Sequence, residues 1–157
     1  KINSLDDFFT TSSCSGRVLI ATIPKPNKKN EVRYLFNLHD KVKNNEIRKI
    51  LETDWPKGDV WFRVDGTIIH IASKNIEKAK KLMNIARDIG FRRSGIISMG
   101  KNRITLELIS TENIETIISK KGKLLVDESY LKILIKEANK KLERSWRKVD
   151  KLYKTLN

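Results

Sequence analysis

Residues 60–72 read VWFRVDGTIIHIA, and the alternation on either side of Asp65-Gly66 decides the fold class. Val60, Phe62 and Val64, then Ile69 and Ile71, recur at every second position, the period of a half-buried strand. Asp-Gly between two β-branched runs is the strongest short signal for a hairpin. A two-residue turn there pairs Phe62 with Ile69 and Trp61 with His70. It gives the five alternating residues a core face and leaves Trp61, Arg63, Ile68 and His70 on the other. Hairpins mean antiparallel pairing, so the expected class is α+β: a mainly antiparallel sheet with packed helices, not a Rossmann-type doubly wound sheet.

Outward from this unit, Ile76, Ala79, Leu82, Met83 and Ala86 repeat at helical spacing, and Gly90 is a natural stop. Ser94–Met99 and Arg103–Ile109 flank Gly100-Lys101-Asn102 as a second hairpin. Leu131, Leu134, Ile135, Ala138, Leu142, Trp146 and Val149 form the apolar stripe of a long last helix. Its other faces carry Lys132, Lys136, Lys140, Arg144, Arg147, Lys148 and Lys151, either a rail facing RNA or a solvated face. Upstream, Asn44–Leu51 reads as a short helix, Tyr34–His39 and Val18–Ile23 as strands, and Pro24–Asn30 as a basic loop. Ser4 before Leu5-Asp6-Asp7-Phe8-Phe9 reads as the cap of a short helix, or the stretch as the end of a longer one. The order hairpin, helix, hairpin, helix hints at an internal duplication.

The chain has 157 residues, enough for one domain spanning 1–157. Lys and Arg number 33 against 19 acids, giving a net charge of +14. That excess repels itself in the folded state. A polyanionic partner, bound with counterion release, is the simplest reason for it. A Lys-rich surface of a heat-adapted protein is the other. One cysteine, Cys14, excludes an intrachain disulfide and suits a reducing, cytoplasmic compartment. With His39 and His70 the only histidines, no zinc ligand set is available, and no metal is expected. No membrane span or signal peptide is visible. The start at Lys1, without methionine and directly before a helix-like stretch, suggests further residues upstream.

No glycine fingerprint for dinucleotides and no P-loop occurs. The densest polar cluster is TTSSCSGR, Thr10 to Arg17. Its hydroxyls, glycine and arginine can form a cup for an anion, with Arg17 as a planar fork. It can equally be a Ser/Thr-rich surface turn in which Gly16 serves a positive φ. Cys14 is either a nucleophile or a small packed hydrophobe. His70 beside Trp61 and Arg63 offers a stacking ring, a phosphate-binding cation and a group titrating near neutrality. The alternative is a covered sheet face. GFRRSG, residues 90–95, is a basic binding turn or only a helix stop.

These pieces, in this order, resemble the wybutosine-synthesising transfer-RNA methyltransferase family. DFFTTSSCSGR, the strand ending in His39, IIHIA, GFRRSGI, STENIE, SKKGKLLVDESYL and ANKKLE carry the resemblance over nearly the whole chain. Lys148 ahead of Tyr153 fits as well. The resemblance implies methyl transfer from S-adenosylmethionine to ring nitrogen N4 of a tricyclic guanosine beside the anticodon of phenylalanine tRNA. It implies a fold outside the Rossmann class. Carried over by position, Ser12, Ser13, Cys14, Gly16, Arg17, Ser94 and Gly95 are expected at the cofactor. His39, Arg63, Arg92, Arg103, Lys140 and Arg144 are expected at the RNA. Methylating a ring N–H requires loss of its proton, and His70 and Asp65 are the candidate bases. Asp65-Gly66 stands where the family has glutamate and proline. Proline cannot adopt the positive φ of a primed turn, so relatives turn differently there. The family also usually carries a Lys-Gly stretch and a helix before DFFTTSSCSGR, again implying residues upstream.

Three functions compete on these residues. The first is the methyltransferase. The second is an RNA-binding module without catalysis, using the basic last helix. The third is an enzyme with Cys14 as nucleophile.

Overall fold

A computed structural model describes residues 1–22, 32–101 and 103–156. The basic loop Pro24–Asn30 lies outside the described residues. The chain divides into two compact units: Lys1–Gly16 with Gly66–Glu112 and Glu143–Asn157, and Arg17–Asp65 with Asn113–Leu142.

The first unit is built on a four-stranded antiparallel sheet of order β1-β5-β7-β6. These are β1 (Phe8–Cys14), β5 (Ile68–Ser73), β6 (Gly95–Met99) and β7 (Ile104–Ile109). Helix α2 (Ile76–Asp88) opens on Asn75, whose side chain accepts from the Lys78 amide. It closes at Gly90, whose φ of +115° lets the Phe91 amide reach back to the Ala86 carbonyl. Ala79, Leu82 and Ala86 of α2 join Ile71, Phe91, Leu106, Leu108 and Leu152 in a buried core.

The second unit carries a five-stranded sheet of order β3-β2-β4-β8-β9. Its strands are β2 (Arg17–Thr22), β3 (Tyr34–Leu38), β4 (Val60–Asp65), β8 (Ile114–Lys120) and β9 (Lys123–Leu124). Val18 to Ala21 are all buried, so VLIA is an uninterrupted apolar run, as in strands covered on both faces. Helix α1 (Asn44–Leu51) has the expected bounds. Helix α3 (Glu128–Thr155) supplies Leu131, Leu134, Ile135, Ala138 and Leu142, all buried. Its Asn139 clamps the loop at Val42, accepting from the Val42 amide at 2.9 Å and donating to its carbonyl at 3.0 Å.

The α+β class and the β6–β7 hairpin are as expected. The hairpin at Asp65-Gly66 is not. Strand β4 pairs with β2 and β8, whereas β5 pairs with β1 and β7 in the other sheet. Phe62 faces Ile20 and Thr116 rather than Ile69, and Trp61, Arg63 and His70 share no hairpin face. Close packing explains this. A Cβ on Gly66 would stand 2.7 Å from the Glu112 carbonyl oxygen. The Thr67 amide donates to Ser145 Oγ at 2.8 Å, and the Thr67 carbonyl accepts from the Ser110 amide. Tertiary hydrogen bonds thus hold the segment open where a local turn was expected. With that pair split between sheets, the hairpin–helix–hairpin–helix order behind the suggested duplication is lost.

The primed turn lies elsewhere. Lys121 and Gly122, with φ of 54° and 76°, join β8 to β9, an unforeseen hairpin. At the start, Ile2–Ser4 forms a short 3-10 turn, and Phe8-Phe9 begins a strand rather than ending a helix.

Candidate functional site

TTSSCSGR is not a turn over most of its length. Thr10 to Cys14 belong to β1, an edge strand, where one open side tolerates a run of hydroxyls. Thr10 faces Ile71 and Ser12 faces His70, so Thr11 is the extra residue of a β-bulge. The bulge sets Ser12 opposite His70. Ser12 Oγ lies 2.8 Å from His70 Nδ1, and His70 Nε2 lies 2.9 Å from Glu107 Oε1 on β7. An ionised carboxylate only accepts, so in the neutral ring it draws the proton to Nε2. Nδ1 is then left to accept from the Ser12 hydroxyl. The result is a hydroxyl, an imidazole and a carboxylate in line, partly open to solvent. Sequence reasoning missed Glu107 because its importance depends on β5–β7 register.

The rest of the segment builds its surroundings. Ser13 and Thr10 line a mostly apolar groove of about 280 Å³ with Ile69, Val149, Leu152 and Tyr153. Cys14 is half-buried. The Ser15 carbonyl accepts from Trp146 Nε1 at 2.9 Å and Thr67 Oγ1 at 3.0 Å. Gly16 is buried at φ +100°, the positive angle expected of it.

Arg17 opens β2 in the second unit, where its Nε stands 3.0 Å from Asp65 Oδ2. Arg63 approaches the other oxygen of Asp65 at 3.4 Å, and its Nε lies 3.9 Å from Glu115. Among the described residues the Arg63 Nε makes no hydrogen bond. Asp65 is therefore held by two guanidinium groups, and Arg17 also stacks toward the Tyr34 ring at 5.8 Å.

The remaining expected residues are spread over the surface and one buried turn. Ser94 is buried, its hydroxyl donating to the Phe91 carbonyl at 2.6 Å and accepting from the Ile109 amide at 3.2 Å. The Arg87 guanidinium binds its carbonyl. Gly95 begins β6. His39, Arg92, Arg103, Lys140 and Arg144 are exposed. Lys140 pairs with Glu137, and Arg144 lies 4.0 Å from Glu112. Among the described residues no group of His, Cys, Asp and Glu could hold a metal, and no helix is long and apolar enough to cross a membrane.

The family model described as Methyltransferase TYW3 matches residues 1–157. The chain belongs to this methyltransferase family. A curated relative from Archaeoglobus fulgidus is 40% identical over 156 residues, covering 99% of this chain and 77% of the relative. It is named tRNA(Phe) 7-((3-amino-3-carboxypropyl)-4-demethylwyosine(37)-N(4))-methyltransferase. A relative from Pyrococcus furiosus, named as enzyme 1 of the same activity, is 35% identical and covered to 77%. A solved protein of Pyrococcus horikoshii superposes with a TM-score of 0.90 at 33% identity, covering 99% of this chain and 80% of the other. Membership in the TYW3 family makes the chain an enzyme that transfers methyl groups. A non-catalytic RNA-binding module is not the favoured reading.

Proposed function

We propose that this member of the TYW3 family methylates ring nitrogen N4 of the tricyclic wyosine-type guanosine beside the anticodon of phenylalanine tRNA, using S-adenosylmethionine in the cytoplasm. The observation that carries the reading is the Ser12–His70–Glu107 line, which gives a ring N–H somewhere to lose its proton. The names of the relatives and the net charge of +14 support a polyanionic substrate.

A methyl donor serving that line would lie on the face of the first sheet that carries Ser12, His70 and Glu107. The apolar groove of Ser13, Ile69 and Tyr153 opens on the opposite face, because Ser13 pairs with Ile69 while Ser12 pairs with His70. Ser12 and Cys14 share the sheet face of His70 and would border a donor there, while Ser13, Gly16 and Arg17 are proposed at the cofactor on the strength of the resemblance. Ser94 and Gly95 act through the shape of their turn, since the Ser94 hydroxyl is committed within the chain. When bound, S-adenosylmethionine supplies an electrophilic methyl group on sulfur. Ser12 Oγ would take the proton that the ring N–H loses, its own hydroxyl proton would pass to His70 Nδ1, and Glu107 would balance the imidazolium. Asp65, engaged by two arginines, serves as anchor in this scheme. Cys14 is not needed as a nucleophile. His39, Arg63, Arg92, Arg103, Lys140 and Arg144 are the proposed RNA contacts.

Incubation with labelled S-adenosylmethionine and tRNA carrying the precursor base is expected to label the tRNA. His70→Ala should lower kcat by about 100-fold or more while leaving tRNA affinity unchanged. No transfer by the parent protein would sink the reading.

A further inference from the structure

On the first unit, a cavity of about 280 Å³ is lined by Ile89, Glu112, Arg144, Arg147, Lys148 and Lys151. Positions 144, 147, 148 and 151 are spaced i, i+3, i+4 and i+7, so one face of α3 presents all four cations. Lys148 is spoken for. Its ammonium donates to Glu112 Oε1 at 2.9 Å and Thr111 Oγ1 at 3.1 Å, with only 15% of its side chain exposed. Its stem lies against Gly90, where an added Cβ would stand 3.1 Å from Cε. This pair neutralises the single carboxylate of the cavity and fastens that turn of the helix to residues 110–112.

Three cationic heads remain toward solvent. Arg144 is 54% exposed and 4.0 Å from Glu112. Arg147 is 68% exposed and 3.6 Å from Glu143. Lys151 is exposed as well. Such open ion pairs contribute little and yield readily to a stronger anion. From Arg144 to Lys151 the cations span about seven rises of the helix, about 10 Å. A row of that length fits successive charges on a strand better than one isolated anion, and two guanidinium forks suit phosphate.

We propose that Arg144, Arg147 and Lys151 seat consecutive backbone phosphates of the RNA substrate, with Lys148–Glu112 holding the seat in place. The proposal rests on the functional reading above and deepens it. It assigns Arg147 and Lys151 to the RNA and removes Lys148 from direct contact.

The test measures binding of fluorescently labelled tRNA across a salt series. The parent protein is compared with Arg144→Ala/Arg147→Ala/Lys151→Ala and with a control losing equal charge, Lys57→Ala/Lys74→Ala/Lys80→Ala. All six positions are exposed, so both triple variants should fold. The first triple is expected to lose at least about tenfold in affinity at ~0.1 M salt. Its slope of log affinity against log salt should fall by about 2, at ~0.7–0.9 per phosphate contact. An equal loss in the control, or no loss in the first triple, overturns the seat. A parent that binds tRNA without methylating it refutes the functional reading alone.

Discussion

His70 has no distinction in the sequence beyond its type, and its two ring partners give it one. Ser12 and Glu107 come from strands on either side of β5, 58 and 37 residues away along the chain. The alternation of β5 showed which way His70 points, but only strand register shows what it meets. If Glu107 fixes the ring, Glu107→Gln should lower kcat at neutral pH by about tenfold or more and alter the pH profile. An amide can present its NH2 to Nε2 and reverse the tautomer. Affinity for tRNA should stay as it was. A profile and kcat like those of the parent would show that the carboxylate has no part in orienting His70.

Among the elements, helices and the β6–β7 hairpin were legible because their signals are local. Periodicity marks a helix, a cap starts it, and a glycine at positive φ ends it. The faces of β4 and β5 were legible for the same reason. Their partners were not, because the residues that hold Gly66 and Thr67 in place lie at positions 110, 112 and 145. Strand β1 was hidden by composition, since serines and threonines favour turns and only the edge of a sheet makes them ordinary in a strand. The start of α3 shows how a local signal becomes stability. The Asp127 carboxylate accepts from the Tyr130 amide and the Ser129 hydroxyl, both at 2.7 Å, and these bonds hold its pKa below the usual range. A depressed pKa contributes stability fully above the unfolded value of about 3.9 and loses it as pH falls through the folded value. Asp127→Ala should therefore lower Tm at pH 7, and the gap from the parent should narrow toward pH 3. A gap equally wide at both would mean that the charge of the cap is irrelevant.

Across the whole molecule, the chain crosses from one unit to the other after Gly16, Asp65, Glu112 and Leu142. No sequence signal marked these crossings, because each falls between residues that look like an ordinary turn or helix interior. Each unit is thus assembled from segments far apart in the chain. The core of the first needs Leu152, and its Thr67 amide needs Ser145. A chain ending at Leu142 should fail to give the cooperative unfolding transition of the parent by circular dichroism. A transition of undiminished steepness and midpoint would show that residues 143–157 are dispensable to it.

The crossings also set a timetable for biosynthesis. Phe8 and Phe9 are made about 60 residues before Ile68–Ser73, the neighbour that their strand needs. The core beneath waits for Leu152, more than 140 residues after Phe8. Until then the nascent chain carries an unpaired strand edge and uncovered apolar side chains. Such intermediates fold slowly and aggregate readily, so the threading makes early folding costly in a way that no single element reveals.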